Sequence, residues 1–322
     1  MPFFTKIGNR IAATPPARVI INKSKETSLP GFRGIPLYDV VKFFIGQVKT
    51  VGMTERASAI AYNLFMAIPP SLIFLFTLIP FLPISKEFEQ SLYSLIRDVI
   101  PGEKDHDVLI TFLQDFINKP RNGLLSLGFV LSMFFSSSAM MGIMRSFDKN
   151  YIGFKKRTDL QKRGVALKIT MVLFVLVFLS ILLLIGQGQV LKLIGIRNAT
   201  VRSIILNTRW VIIVLLFFAI ISYIYRHAPA VHKKWRLINP GSILAAALML
   251  LMTFLFSWWV GRFGNYNQLY GSIGTVLILM ILIFINSLVL LIGFELNVSI
   301  NSLKKIADER KDSPADGVAN PV

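Results

Sequence analysis

Residues 273–294 read IGTVLILMILIFINSLVLLIGF, 22 positions without a single charge. A helix rises about 1.5 Å per residue, so roughly 20 apolar residues are enough to cross the hydrocarbon core of a bilayer. Outward from this stretch the same composition recurs. Uncharged apolar runs lie at Ala57–Pro83, Gly123–Met144, Ile169–Leu191, Trp210–Tyr225, Leu237–Gly261 and Phe263–Phe294. Trp210–Tyr225 is short and draws on Ile204–Thr208 upstream, which brings Arg209 into the helix. A soluble core does not need so many long charge-free runs. The expectation is an all-α integral membrane protein, a six-helix bundle with spans near 57–83, 123–144, 169–191, 204–225, 240–261 and 273–295.

The charge between the runs orients such a bundle. A formal charge of +18 would point to nucleic acid in a soluble protein. Here 25 of the 35 basic residues fall in four segments: the N-terminal stretch to Arg56, Arg145–Lys168, Arg226–Arg236 and the tail after Asn301. The alternate loops, 84–122, 192–209 and 262–272, hold the other 10. By the positive-inside rule both termini of this multi-pass protein are cytoplasmic. Topology accounts for the basicity, so no specific nucleic-acid partner is expected.

The chain has no cysteine, which removes disulfides, thiolate metal sites and cysteine nucleophiles from consideration. Residues 1–36 are polar, punctuated by Pro15, Pro16, Pro30 and Pro36, and lack the apolar block of a cleavable signal. They are expected to be a flexible cytoplasmic N-terminus, with 37–303 the membrane domain and 304–322 a disordered tail.

Two further regions have helical periodicity. Leu37, Val40, Val41, Phe44, Ile45 and Val48 share one face, with Lys42 and Lys49 off it. That face either lies down in the headgroup layer or packs on the bundle. In the loop 84–122, Phe88, Leu92, Leu95, Ile96 and Val99 form one stripe and Leu109, Phe112, Leu113, Phe116 and Ile117 another. A pair of amphipathic helices over the outer mouth follows from this. The acids of that loop read as solvated faces, without metal-ligand spacing.

Enzyme chemistry is thinly represented. The three histidines are His106, His227 and His232, and the last two flank Pro229 in a segment without an acid. A zinc hydrolase needs several converging ligands, so no metal and no cofactor is expected. Gly271-x-x-Gly274 lacks a following Lys and reads as close helix packing. Ser136-Ser137-Ser138 reads as hydroxyls bonded within or between helices.

Polar and helix-breaking residues inside the spans are the candidates for a polar interior or substrate path. Pro69-Pro70 sits mid-span, where it kinks or breaks the helix, Asn63 precedes it by about two turns, and Asn286 lies midway along the last span; taken singly, each such residue reads first as a kink or one interhelical hydrogen bond. Glu295 and Asn297 are expected to end that span, and Arg209 completes the set. The basic, acid-free loop with Lys192, Arg197 and Arg202 is a candidate contact for anionic groups. Lipid phosphate and the acidic loop 84–122 are its two possible counterparts.

The residues also carry a family resemblance. Glu55-Arg56-Ala57-Ser58-Ala59-Ile60-Ala61-Tyr62-Asn63, running on to Pro69-Pro70, resembles the first-span signature of the YihY/BrkB family of bacterial inner-membrane proteins. Asn239-Pro240-Gly241-Ser242, Tyr266-Asn267, Leu269-Tyr270-Gly271-Ser272-Ile273-Gly274 and Gly293-Phe294-Glu295-Leu296-Asn297 resemble its closing block. The paired proline departs from the Ser-x-x-Pro style pattern expected there. The resemblance implies six spans with both termini inside, and structural roles for Tyr62, Pro240, Gly241, Tyr266, Tyr270, Gly271, Gly274 and Gly293. It also brings an inherited label, ribonuclease BN. RNA hydrolysis needs metal-bound water or an acid/base pair, and the cytoplasmic segments supply neither. Transport or translocation of an amphipathic or anionic, lipid-like substrate therefore ranks first, a non-transporting envelope scaffold second and a ribonuclease last. Membrane lipids, anionic ones included, are the expected partners, and a homo-oligomer is compatible with the composition.

Overall fold

The computed structural model describes residues 15–50, 52–81, 93, 110–111, 114–115, 122–148, 154, 157–193, 199–231, 234–262 and 272–312. The expected outer-loop helices of 84–122 fall almost wholly outside these residues. The described chain is helical: α1 Pro15–Glu26, α2 Leu37–Thr50, α3 Met53–Leu78, α4 Asn122–Phe147, α5 Asp159–Leu193, α6 Ala199–His227, α7 Pro240–Arg262 and α8 Ser272–Asp312. Among the described residues five helical stretches are long and apolar enough to cross a membrane, within α3, α4, α5, α7 and α8. The apolar part of α6, Ile213–His227, is shorter. Only 11% of the apolar window of α3, and the same share of α7, is buried inside the protein. Apolar helices so little covered by protein are covered by lipid, where their backbone is satisfied internally.

The chain divides into two compact units. One takes in the described residues of Met1–Ser58, Ser146–Lys156 and Pro229–Val322; the other takes in Ala59–Arg145 and Arg157–Ala228. The boundary passes through α3 between Ser58 and Ala59.

In the first unit α7 packs along α8, and α2 packs on the C-terminal half of α8. Phe32, Ile35, Val40 and Ile300 form a buried cluster, with Leu37, Leu296 and Leu303 against it. The two readings of the α2 face are thus divided between its edges. Val40 is fully buried on α8, whereas Val41 and Ile45 are 42% and 46% exposed.

Several boundaries differ from expectation. The N-terminal stretch is not flexible throughout: α1 is formed, and Phe32 and Ile35 anchor the turn before α2. The last helix does not end at Glu295 but runs to Asp312, placing Glu295 and Asn297 past its middle. At 41 residues α8 is roughly 61 Å long, about twice the hydrocarbon thickness of a bilayer. Seventeen residues follow Glu295 in the helix, and the last nine of them, 304–312, lie in what sequence composition marks as tail. The break at Pro69-Pro70 is also absent, because α3 continues through both prolines. Proline's fixed φ near −65° is compatible with a helix; what it removes is the N–H that the carbonyls of Phe65 and Met66 would have accepted.

Candidate functional site

In the first unit the polar residues of α8 are engaged in packing. The first turn of α3 presents Arg56, whose Nη1 donates to Glu295 Oε1 at 2.6 Å. Its Nε donates to the carbonyl of Ser146 at 2.8 Å, and Nη2 donates to the same oxygen. That carbonyl is in the last turn of α4, where helix carbonyls lack intrahelical donors. Both side chains are buried, at 8% and 0% exposure. Beside them Phe294 stacks on Phe147 with centroids 3.9 Å apart, and Trp235 lies 5.7 Å away.

Two residues further along α8, Asn297 serves the start of α7. Its Nδ2 donates to Asn239 Oδ1 at 2.6 Å, and its Oδ1 accepts from the Gly241 amide at 2.9 Å. Asn239 is the N-cap: its Oδ1 accepts from the Ser242 amide at 2.8 Å, and Ser242 Oγ accepts in return from the Asn239 amide at 3.3 Å. This is a capping box with Pro240 at the first helical position. Gly241 meets the Gly293 carbonyl and the Asn297 amide so closely that no Cβ fits between them. Asn286 donates to the Leu282 carbonyl at 3.0 Å and lies 3.4 Å from Thr253 Oγ1 on α7. The candidate path residues of α8 therefore join helices, and Gly241 and Gly293 form the tightest point of the α7–α8 contact.

The second unit is built differently. α3, α4, α5 and α6 surround an open cavity of about 630 Å³, lined by apolar side chains such as Leu64, Ala67, Met140 and Ile224. Phe74, Phe129 and Phe174 line one end, with Phe74 5.4 Å from Phe129 and 5.9 Å from Phe174. Three hydroxyl residues interrupt the apolar wall: Ser71, Ser136 and Thr170. Asn63 is not in the lining. It donates to the Ala59 carbonyl at 2.7 Å and sits over Gly142, where a Cβ would lie 2.9 Å from its amide nitrogen. Pro69 is exposed and Pro70 half-buried, neither in the lining. Tyr62 is 57% exposed.

The sequence candidates are thus separated. Glu295 and Asn297 come together with Arg56 and Asn239, Asn286 lies further along α8, and Asn63 and the prolines belong to the other unit. Gly274 is buried at the start of α8. Tyr266, Tyr270, Gly271 and Arg197, and the side chains of Lys192, Arg202 and Arg209, lie outside the described residues. His227 belongs to α6, with Nδ1 3.0 Å from the Tyr223 carbonyl, and His232 is outside the description. Sequence reading counted Arg56 only as an inside charge and missed Ser71, Thr170 and the small residues Ala67 and Ala139 that leave the cavity open. A lone acid in an apolar run was the available signal for Arg56, since a buried carboxylate needs a base.

With this geometry established, the chain can be compared with known proteins. The family described as virulence factor BrkB matches residues 44–318. The ribonuclease-like protein YfkH of Bacillus subtilis is 26% identical over 259 residues, 79% of this chain and 92% of that protein. A UPF0761 membrane protein of Vibrio campbellii is 26% identical over 261 residues, 79% of each chain. Another, of Stenotrophomonas maltophilia, is 32% identical over 91 residues, which is 28% of this chain and 22% of that relative. No solved structure matches.

Proposed function

The chain belongs to the virulence factor BrkB family, and on that premise we propose that it is a translocation factor for an amphipathic, lipid-like substrate in a bacterial inner membrane. The cavity carries this reading. At about 630 Å³ it lies within the 300–1,000 Å³ of small-molecule sites, and three of its four helices, α3, α4 and α5, are long and apolar enough to span. On α3 it extends from Leu64 to Leu78, 14 residues or about 21 Å. One leaflet of hydrocarbon is only about 15 Å deep, so a substrate tail in this groove passes the bilayer midplane. Expected activity is movement of a labelled amphiphile between leaflets of proteoliposomes. Ala139→Trp, at a buried lining position of α4, should cut the rate at least tenfold while the unfolding midpoint stays within a few degrees. Undiminished movement in that variant would exclude the cavity as the route.

The topology that goes with this reading has six spans, α6 being the fourth, and both termini in the cytoplasm. It is supported by 25 basic residues on one side against 10 on the other. A reporter active only outside the cell, fused after Lys304, should be silent; activity there would overturn the orientation. The name of the Bacillus relative favours a second reading, RNA cleavage. We rank it below transport, and expect tRNA to stay intact when incubated with the purified protein and divalent metal. Cleavage that copurifies with the protein and is lost in His227→Ala would reverse that ranking.

A further inference from the structure

The cavity's wall carries information about the polar part of its occupant. Among the described residues no Asp, Glu, Lys, Arg or His lines it. A charged group placed at that depth would have no counter-charge, an expensive arrangement inside a membrane. The wall is nevertheless not purely hydrocarbon. Ser71 lies midway along the α3 lining, seven residues from both Leu64 and Leu78, and Ser136 midway along α4 between Phe129 and Ile143. Their hydroxyl oxygens are 3.4 Å apart, beyond an ordinary O–H···O bond. Thr170, also in the lining, is 3% exposed; its Oγ1 is itself covered and has no hydrogen-bond partner among the described residues, and a rotation about χ1 is what would turn it to the cavity.

Five other hydroxyls on α3, α4 and α5 behave differently, while Ser222 on α6, outside the lining, is likewise buried with no hydrogen-bond partner among the described residues. Thr77 on α3, Ser132, Ser137 and Ser138 on α4, and Ser180 on α5 each donate to a carbonyl three or four residues earlier on the same helix. Such back-bonding is the usual fate of a hydroxyl in a membrane helix. Three cavity residues with spare hydrogen-bonding capacity, in a wall without charge, match a ligand with an uncharged oxygen between or beside apolar segments.

Resting on the cavity as the substrate site, we infer that its occupant is a single-chain lipid whose buried polar group is uncharged, a hydroxyl or an ester oxygen, bound by Ser71, Ser136 and Thr170. An ionised headgroup stays outside the cavity. This narrows the substrate class: the anionic character expected from the basic loops, if present, belongs to a part of the molecule that the cavity does not enclose.

The experiment measures equilibrium binding of radiolabelled 1-hexadecanol, hexadecane and palmitate, the last ionised at pH 9, to the purified full chain in detergent. Binding lost in Ala139→Trp defines the cavity component. Hexadecanol is expected to bind about tenfold more tightly than either comparison ligand, one hydrogen bond's worth. Combining Ser71→Ala, Ser136→Ala and Thr170→Val should erase that advantage and leave hexadecane binding as it was; Thr170→Val alone gives the same comparison if the triple variant does not fold. Equal binding of ionised palmitate, or an advantage that survives the hydroxyl substitutions, overturns the inference while the cavity stands as the site. Absence of any binding sensitive to Ala139→Trp removes both.

Discussion

The two units solve the same problem, holding apolar helices together, with opposite chemistry. In the first, named polar groups meet at fixed points: Arg56 with Glu295 and the Ser146 carbonyl, Asn297 with Asn239 and the Gly241 amide. In the second, the helices part around an apolar cavity, and most hydroxyls outside its lining turn back to their own helix. Apolar side chains gain little from one another when lipid is equally apolar, so helix association in a bilayer rests on close packing and interhelical hydrogen bonds. The second unit has such points too, Arg163 Nη1 donating to Ser138 Oγ at 3.0 Å and Arg157 Nη1 to the Ala228 carbonyl at 2.9 Å, but none of these residues lines the cavity.

If that contrast is correct, the largest loss of stability comes from breaking the buried ion pair. Arg56→Ala removes the guanidinium that faces the buried Glu295 carboxylate, and removing one partner of such a pair costs about 3–5 kcal/mol. Thermal unfolding in detergent should show it as the greatest drop of any single substitution considered. Arg56→Met with Glu295→Leu should recover most of the loss, because a buried pair replaced by apolar groups of similar volume is often neutral. A double variant as damaged as the single one would mean the pair does more than hold helices.

Gly241→Ala ranks next. Its Cβ would meet the Gly293 carbonyl, a backbone atom that cannot swing aside. The cost expected from overpacking is about 1–3 kcal/mol, and separation of α7 from α8 in cross-linking should accompany it. Gly142→Ala in the second unit is the matched control. There the added methyl's nearest contacts are side-chain atoms of Asn63, Nδ2 at 2.9 Å, Cγ at 3.1 Å and Cβ at 3.2 Å, rather than backbone. A loss below about 1 kcal/mol is expected, cancelled by Asn63→Ala. Should Gly142→Ala cost as much as Gly241→Ala, the second unit is as tightly joined as the first and the contrast fails. The smallest effect on stability belongs to Ala139→Trp, which fills space that is already open; its effect should appear in transport and binding instead.

Much of this was legible beforehand. The apolar runs at 57–83, 123–144 and 240–261 each lie within or nearly within a helix. The sequence also marked Glu295 and Asn297 as unusual, though it assigned them to a path and to the end of a span. Helix α3 was misjudged because proline's two effects were not separated: it deletes a donor, yet keeps a helical φ. The pairing of Arg56 was not legible, because its charge could be counted along the chain while its partner lies 239 positions away.

What the sequence alone determined is whatever depends on a local sum: which segments enter a bilayer, from hydropathy along about 20 residues, and the charge bias between them. Such sums need no knowledge of neighbours, because each helix satisfies its own backbone. What only the tertiary structure decided is whatever depends on partners. Arg56 finds Glu295 across 239 positions of chain, Asn297 reaches the start of α7, and four helices turn small residues and three hydroxyls toward one cavity. Pairing and cavity shape follow from the rotation and spacing of whole helices, and no window along the chain contains those.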